Sequence, residues 1–120
     1  MKIYIICPVR NVTEEQQKEI DDYVKQLEID GHIVHNPKYA VDQNDSTGFQ
    51  ICLGHYQFMK DCDAVHIFWD KDSSGSHFDF GMAFALGKDI TLVKSYKPDS
   101  EGKSYLKTIC QTEVYRNKKF

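Results

Sequence analysis

The sequence predicts an α/β protein, a doubly wound parallel sheet of four or five strands in the order 2-1-3-4(-5) with helices on both faces. Three observations predict it. Short runs rich in β-branched and aromatic residues recur at residues 2–7, 32–35, 63–69 and 90–93, as buried strands require. Between them the apolar spacing changes to three and four residues, the period of an amphipathic helix. Strands that alternate with helices are joined by right-handed crossovers, which makes the sheet parallel. A chain of 120 residues is long enough for one hydrophobic core, so residues 1–120 are read as a single domain.

Each element has its own local reason. Residues 2–7 form an apolar run that Pro8 and the polar pair Arg10-Asn11 bring to an end. Thr13 with Gln16 three residues later is a capping-box signature. Ile20, Tyr23, Val24 and Leu27 then follow at helical spacing until Asp30-Gly31. Residues 32–35, centred on Ile33 and Val34, are a second short strand closed by Asn36-Pro37. Residues 38–47 have turn chemistry and no period, a loop long enough to suspect of function. Phe49, Cys52, Leu53, Tyr56 and Met59 mark a second helix over residues 48–60, and residues 63–69 a third strand. The polar Gly/Ser segment 70–77 reads as a loop, residues 78–86 as a short apolar helix with Gly87 as its C-cap, and 90–93 as the fourth strand. Beyond Ser95, residues 105–110 are expected to be helical and 113–115 extended. With this flavodoxin- or Rossmann-like order, ligands bind where the chain reverses direction, beyond the C-terminal ends of strands 1 and 3. The loops leaving those ends are residues 8–11 and 70–77.

Composition narrows the function. The net charge is −3, with 41% hydrophobic and 28% charged residues. Residues 1–93 carry 8 basic against 15 acidic side chains, and residues 94–120 carry 7 against 3. A nucleic-acid binder presents a strong basic face, so a small ligand is expected in its place. No apolar stretch approaches the roughly 20 residues of a membrane span, and the N-terminal apolar run is too short for a signal peptide. A cytoplasmic protein is expected. Cys7, Cys52, Cys62 and Cys110 form no Cys-x-x-Cys pair, which points to free thiols over a disulfide framework or a zinc ribbon.

Several residues have the chemistry for a site at the switch point. Ser73, Gly75 and Ser76 lie on a loop that runs into a helix, where backbone N–H groups and the helix dipole favour a phosphate. Arg10, beside Cys7 and Pro8 on the neighbouring loop, is able to clamp the same anion through two parallel hydrogen bonds. Asp79 in the first turn of the helix has the chemistry of a nucleophile or general base, although acidic residues also favour that turn for the dipole alone. Cys52, His55, Cys62 and His66 are metal-ligating types, but they show no compact ligand spacing; burial is the favoured reading. No metal and no cofactor are assigned.

The runs Ile3-Tyr4-Ile5-Ile6-Cys7-Pro8-Val9-Arg10 and Asp63-Ala64-Val65, followed by the segment Ser73-Ser74-Gly75-Ser76-His77-Phe78-Asp79-Phe80-Gly81-Met82-Ala83-Phe84-Ala85-Leu86-Gly87-Lys88, resemble the nucleoside 2-deoxyribosyltransferase-like superfamily. The resemblance is nearest to its nucleoside 5'-monophosphate N-glycosidases. It covers residues 2–93, and its most specific element is the acidic-x-Gly-x-Ala-x-Ala-x-Gly-Lys run from Asp79 to Lys88. Members cleave the N-glycosidic bond through a sugar ester on a glutamate, which water or an acceptor base then releases. The resemblance implies that Asp79 stands for that glutamate, one methylene shorter, and that Tyr4 orients it. It places Arg10 and Ser73 near a 5'-phosphate. The family's second acidic residue aligns with His55, and Pro8 occupies a small-residue position of the phosphate turn. It also implies a homodimer.

Two function classes follow. One is an N-glycosidase or deoxyribosyltransferase acting on a nucleoside or its 5'-monophosphate, with Asp79 attacking and His55 or His77 helping the base to leave. The other is a module of the same fold that binds the nucleotide without turning it over.

Overall fold

The computed structural model describes residues 1–36 and 44–117. Its elements in chain order are β1 (Lys2–Ile6), α1 (Glu14–Ile29), β2 (Ile33–His35), α2 (Phe49–Asp61), β3 (Ala64–Trp69), α3 (Ser74–Ala85), β4 (Asp89–Ser95) and α4 (Tyr105–Asn117). The strands form one parallel sheet in the order β2-β1-β3-β4, as the sequence predicts. Part of the loop read at 38–47 lies outside the described residues.

The period-2 alternation of the strands divides the core between two faces. Ile3 and Ile5 of β1 and Phe68 of β3 pack with Ile20 and Val24 of α1. Tyr4 and Ile6 of β1 and Val65, Ile67 and Trp69 of β3 face the other way, against Met59 of α2, Phe80 and Ala83 of α3 and Ile109 of α4. One helix therefore covers one face and three the other. α1 begins with the capping box foreseen in the sequence: Gln16 N–H donates to Thr13 Oγ1 (3.0 Å) and Thr13 N–H to Gln16 Oε1 (3.1 Å).

Two expectations need correction. Residues 113–115 are not extended; they lie inside α4. Val114 and Tyr115 favour strands, but the buried positions Ile109 and Thr112, flanked by half-buried Leu106 and Arg116, recur at three and four residues, and that stripe decides for helix. No fifth strand is present among the described residues. α4 instead covers the edge of β4, where Glu113 Oε1 accepts from Leu92 N–H (2.9 Å), occupying a donor that an open edge would leave unpaired. The second correction is that α3 starts at Ser74, not Phe78, because Ser73 caps it. Gly75, Ser76 and His77 are thereby first-turn residues and not loop, and Asp79, expected in the first turn, lies in the second, beyond the reach of a simple dipole role.

The C-terminal ends of α2 and α3 are closed by cations. Lys88 Nζ donates to the carbonyls of Lys60 (2.9 Å) and Cys62 (2.6 Å) at the end of α2. Arg116 donates to Ala83 and Lys88 (both 3.1 Å) and to Phe84 (2.6 Å) at the end of α3, with its guanidinium over the Phe84 ring. Gly87, at φ +69°, turns the chain out of α3 in the left-handed conformation that a glycine adopts without strain. Among the described residues, no helix is long and apolar enough to cross a membrane.

Candidate active site

β1 and β3 are neighbours, and from them the chain winds outward to β2 on one side and β4 on the other. This is the switch point of a doubly wound sheet. Beneath it, on the three-helix face, a buried polar cluster forms. Tyr4 in mid-β1 is fully buried, and its hydroxyl donates to Asp79 Oδ2 (3.0 Å). Burial and the adjacent carboxylate push the Tyr4 phenol far above its ordinary range, so it remains a donor. The other carboxylate oxygen, Oδ1, lies 3.5 Å from His55 Nδ1 of α2, an approach at the long limit of a hydrogen bond. Three elements thus hold the Asp79 side chain, which is only 7% exposed.

His35 completes the cluster. The sheet register sets it beside Tyr4, and its ring stacks on Phe58 (centroids 4.0 Å) and lies 4.8 Å from Tyr4 and 5.9 Å from His55. Burial, helped by the neighbouring His55, lowers its pKa to about 4, so the ring is neutral near pH 7. Both His35 ring nitrogens and His55 Nε2 are buried without a hydrogen-bond partner among the described residues. Buried polar groups are nearly always paired, and three unpaired nitrogens in one cluster mark a place where a polar ligand fits. Sequence reasoning missed His35. The signal was there in the strand register: His35 ends the strand next to β1, level with Tyr4.

The residues expected to receive an anion lie at the same end of the sheet. Cys7 and Pro8 are buried where β1 ends, and Arg10 is exposed just beyond. Asn11 follows at φ 59°, a left-handed turn that asparagine tolerates. Ser73 caps α3: Ser76 N–H and the Ser76 hydroxyl lie 3.4 and 2.9 Å from Ser73 Oγ. Ser76 is buried, and the N–H groups of Ser74 and Gly75 are left at the open end of the helix. His77 sits apart from the carboxylate. Its Nδ1 bonds the Ser73 carbonyl (2.7 Å) and its ring packs on Trp69 and Tyr105, whereas Asp79, about 200° further round the helix, faces Tyr4. The possible ligand set Cys52, His55, Cys62 and His66 is divided by the sheet, since His66 meets Tyr23 of α1 at 2.6 Å. Among the described residues no three His, Cys, Asp or Glu are placed to hold a metal ion.

Solved structures share this doubly wound fold. The CMP N-glycosidase of Clostridium botulinum superposes with a TM-score of 0.67 at 21% identity, over 93% of this chain and 82% of that one. A 2-deoxyribosyltransferase from Bacillus psychrosaccharolyticus gives 0.67 at 23% identity, over 88% and 79%. At these identities the likeness is one of fold. The chain belongs to the family described as Domain of unknown function (DUF4406), which matches residues 1–92. No curated protein matches it in sequence.

Proposed function

We propose that this protein is an N-glycosidase of nucleoside 5'-monophosphates. One observation carries the reading: a buried carboxylate, Asp79, with one oxygen held by the Tyr4 hydroxyl and the other facing His55. A carboxylate fixed so that it cannot rotate away is what attack on an anomeric carbon needs. An Asp79 oxygen attacks C1' of the sugar as the bond from C1' to the base nitrogen breaks, and the base departs with the electron pair. His55 gives the base a proton. Water then opens the sugar ester, adding its oxygen to C1' and giving a proton back to His55, which restores Asp79 and His55 and releases the sugar 5-phosphate. A second base accepting the sugar in place of water would make the same chemistry a deoxyribosyl transfer.

Arg10 and the α3 N-terminus, with Ser73, Gly75 and Ser76, receive the phosphate. The unpaired nitrogens of His35 and His55 are available to the rest of the ligand. The names of the two structural neighbours, one acting on CMP and one a 2-deoxyribosyltransferase, support this substrate class. We place the protein in the cytoplasm, in keeping with its four free cysteines. We take it to act as a homodimer, in keeping with the exposed aromatic side chains Phe49, Phe58, Phe78 and Phe84 on α2 and α3.

The experiment is incubation with a panel of nucleosides and 5'-monophosphates, followed by chromatography for free base. Release by the wild type and none by Asp79→Asn is expected. A wild-type protein that binds a monophosphate tightly and releases no base would leave the binding module in place of the enzyme.

A further inference from the structure

The end of β4 brings a lysine to the turn that starts α3. Trp69 and Ser95 are paired at the exits of β3 and β4, and Tyr96 N–H donates to the Trp69 carbonyl (3.0 Å). Two residues past Ser95, Lys97 Nζ meets Asp70 Oδ1 at 2.8 Å and Asp72 Oδ2 at 2.7 Å. The same turn is closed from within. Asp70 Oδ1 also accepts from Asp72 N–H (2.9 Å), and the Asp70 carbonyl accepts from Ser73 N–H (3.0 Å). Ser73 is the cap of α3.

Stability is a poor explanation for the bridge. The Lys97 and Asp72 side chains are 38% and 69% exposed, so that pair contributes only about 0–1 kcal/mol, and the 15% exposed Asp70 is met by the same solvent-reached ammonium. Position is a better one. Asp70 and Asp72 lie within three residues of the helix end that is open to an anion, and without a counter-charge they would repel it. Lys97 is the cation that meets both. Lys97 also draws the Asp72 carboxyl below its ordinary range, with Lys71 and His77 adding to the effect.

We propose that Lys97 is a positioning and specificity-determining residue, which neutralises Asp70 and Asp72 and fixes the 70–73 turn so that the α3 N-terminus accepts a phosphate monoester. The inference rests on the nucleotide reading of the site. Lys97 acts through the two carboxylates and not on the ligand. Its effect is therefore confined to phosphorylated ligands.

The test is calorimetric titration with the tightest binder of a nucleoside 5'-monophosphate panel and with its parent nucleoside. It compares wild type, Lys97→Met, Lys97→Arg, and Lys97→Met combined with Asp70→Asn and Asp72→Asn. Lys97→Met is expected to weaken monophosphate binding about tenfold and leave nucleoside binding within about twofold. Lys97→Arg keeps the charge and wild-type affinity, and the triple variant, with no carboxylates to neutralise, recovers most of the loss. Equal losses for the two ligands, or a loss that persists in the triple variant, would overturn the inference while the nucleotide reading stands. A wild-type protein that binds the nucleoside but no monophosphate would overturn the nucleotide reading and this inference together.

Discussion

Each face of the sheet sets a tyrosine against an imidazole, half-buried on the α1 face and buried on the other, and the two arrangements differ in their pairing. On the α1 face, Tyr23 and His66 meet at 2.6 Å, and neither leaves a buried nitrogen or oxygen unpaired. On the opposite face, Tyr4, Asp79, His55 and His35 gather within contact distance, yet three ring nitrogens remain without partners. Desolvating a polar group without a partner costs about 1–3 kcal/mol. The first arrangement, half-buried and paired through Tyr23 and His66 Nδ1, meets little of that cost. The second recovers it only when something else binds, which is the difference between a structural contact and a site.

The largest effect that would break this comparison belongs to Asp79. Asp79→Asn keeps the shape and the acceptor for Tyr4 but cannot form an ester, so base release is expected to fall by about a thousandfold or more. Chromatographic assay of the released base checks it. If Asp79→Asn turns over at the wild-type rate, the polar face is as structural as the other.

Arg10 comes next. Arg10→Ala is expected to weaken nucleoside 5'-monophosphate binding by about 1.5–3 kcal/mol, the worth of a charge-assisted contact, and to leave the parent nucleoside unaffected. Titration with the pair of ligands measures it, and equal losses would make Arg10 a structural residue.

A matched pair of substitutions then sharpens the contrast directly. Tyr23→Phe should cost about 1 kcal/mol of stability, since it strands the His66 nitrogen, with no change in ligand affinity. His35→Phe removes an imidazole that has no partner to lose, so stability holds or rises, while ligand affinity falls. Thermal melts with and without nucleotide separate the two, and a marked loss of stability in His35→Phe would count against an unpaired ring.

A last effect is one of pH. The His35 pKa falls from 6.5 to about 4 on folding, so between those values the unfolded chain binds the proton more readily than the native one. Stability is therefore level above pH 6.5 on account of this group and declines as pH falls toward 4. Burial shifts the pKa of His66 in the same direction. Melts across this window should slope less in His35→Phe than in wild type.

Much of this was legible from residue patterns. The alternation of strands and helices gave the sheet order, and Thr13 with Gln16 gave the start of α1. Asp79 and Tyr4, 75 residues apart in sequence, came together only through the resemblance, since no spacing rule joins a mid-strand tyrosine to a helix across that distance. His35 was hidden for a related reason: its neighbour is fixed by parallel pairing between β1 and β2, which a single sequence does not display. Residues 113–115 are misleading because two strand-favouring residues, Val114 and Tyr115, stand out locally, while the helical stripe that overrides them spans residues 106–116. The start of α3 was placed late because serine and glycine are weak helix formers, while the cap at Ser73 decides the boundary.

The cations at the far ends of α2 and α3 bear on how an acidic protein receives an anion. A helix has a partial positive pole at its N-terminus and a negative one at its C-terminus, each about half a charge. Lys88 and Arg116 sit on the negative poles of α2 and α3. The positive pole of α2 is met by Asp45, whose carboxylate accepts from Gln50 N–H and Ile51 N–H, whereas that of α3 is capped by the neutral Ser73. Of these two helices only α3 keeps a positive end that no capping carboxylate offsets, and on the proposed reading this is where a chain of net charge −3 draws in a small phosphate ester.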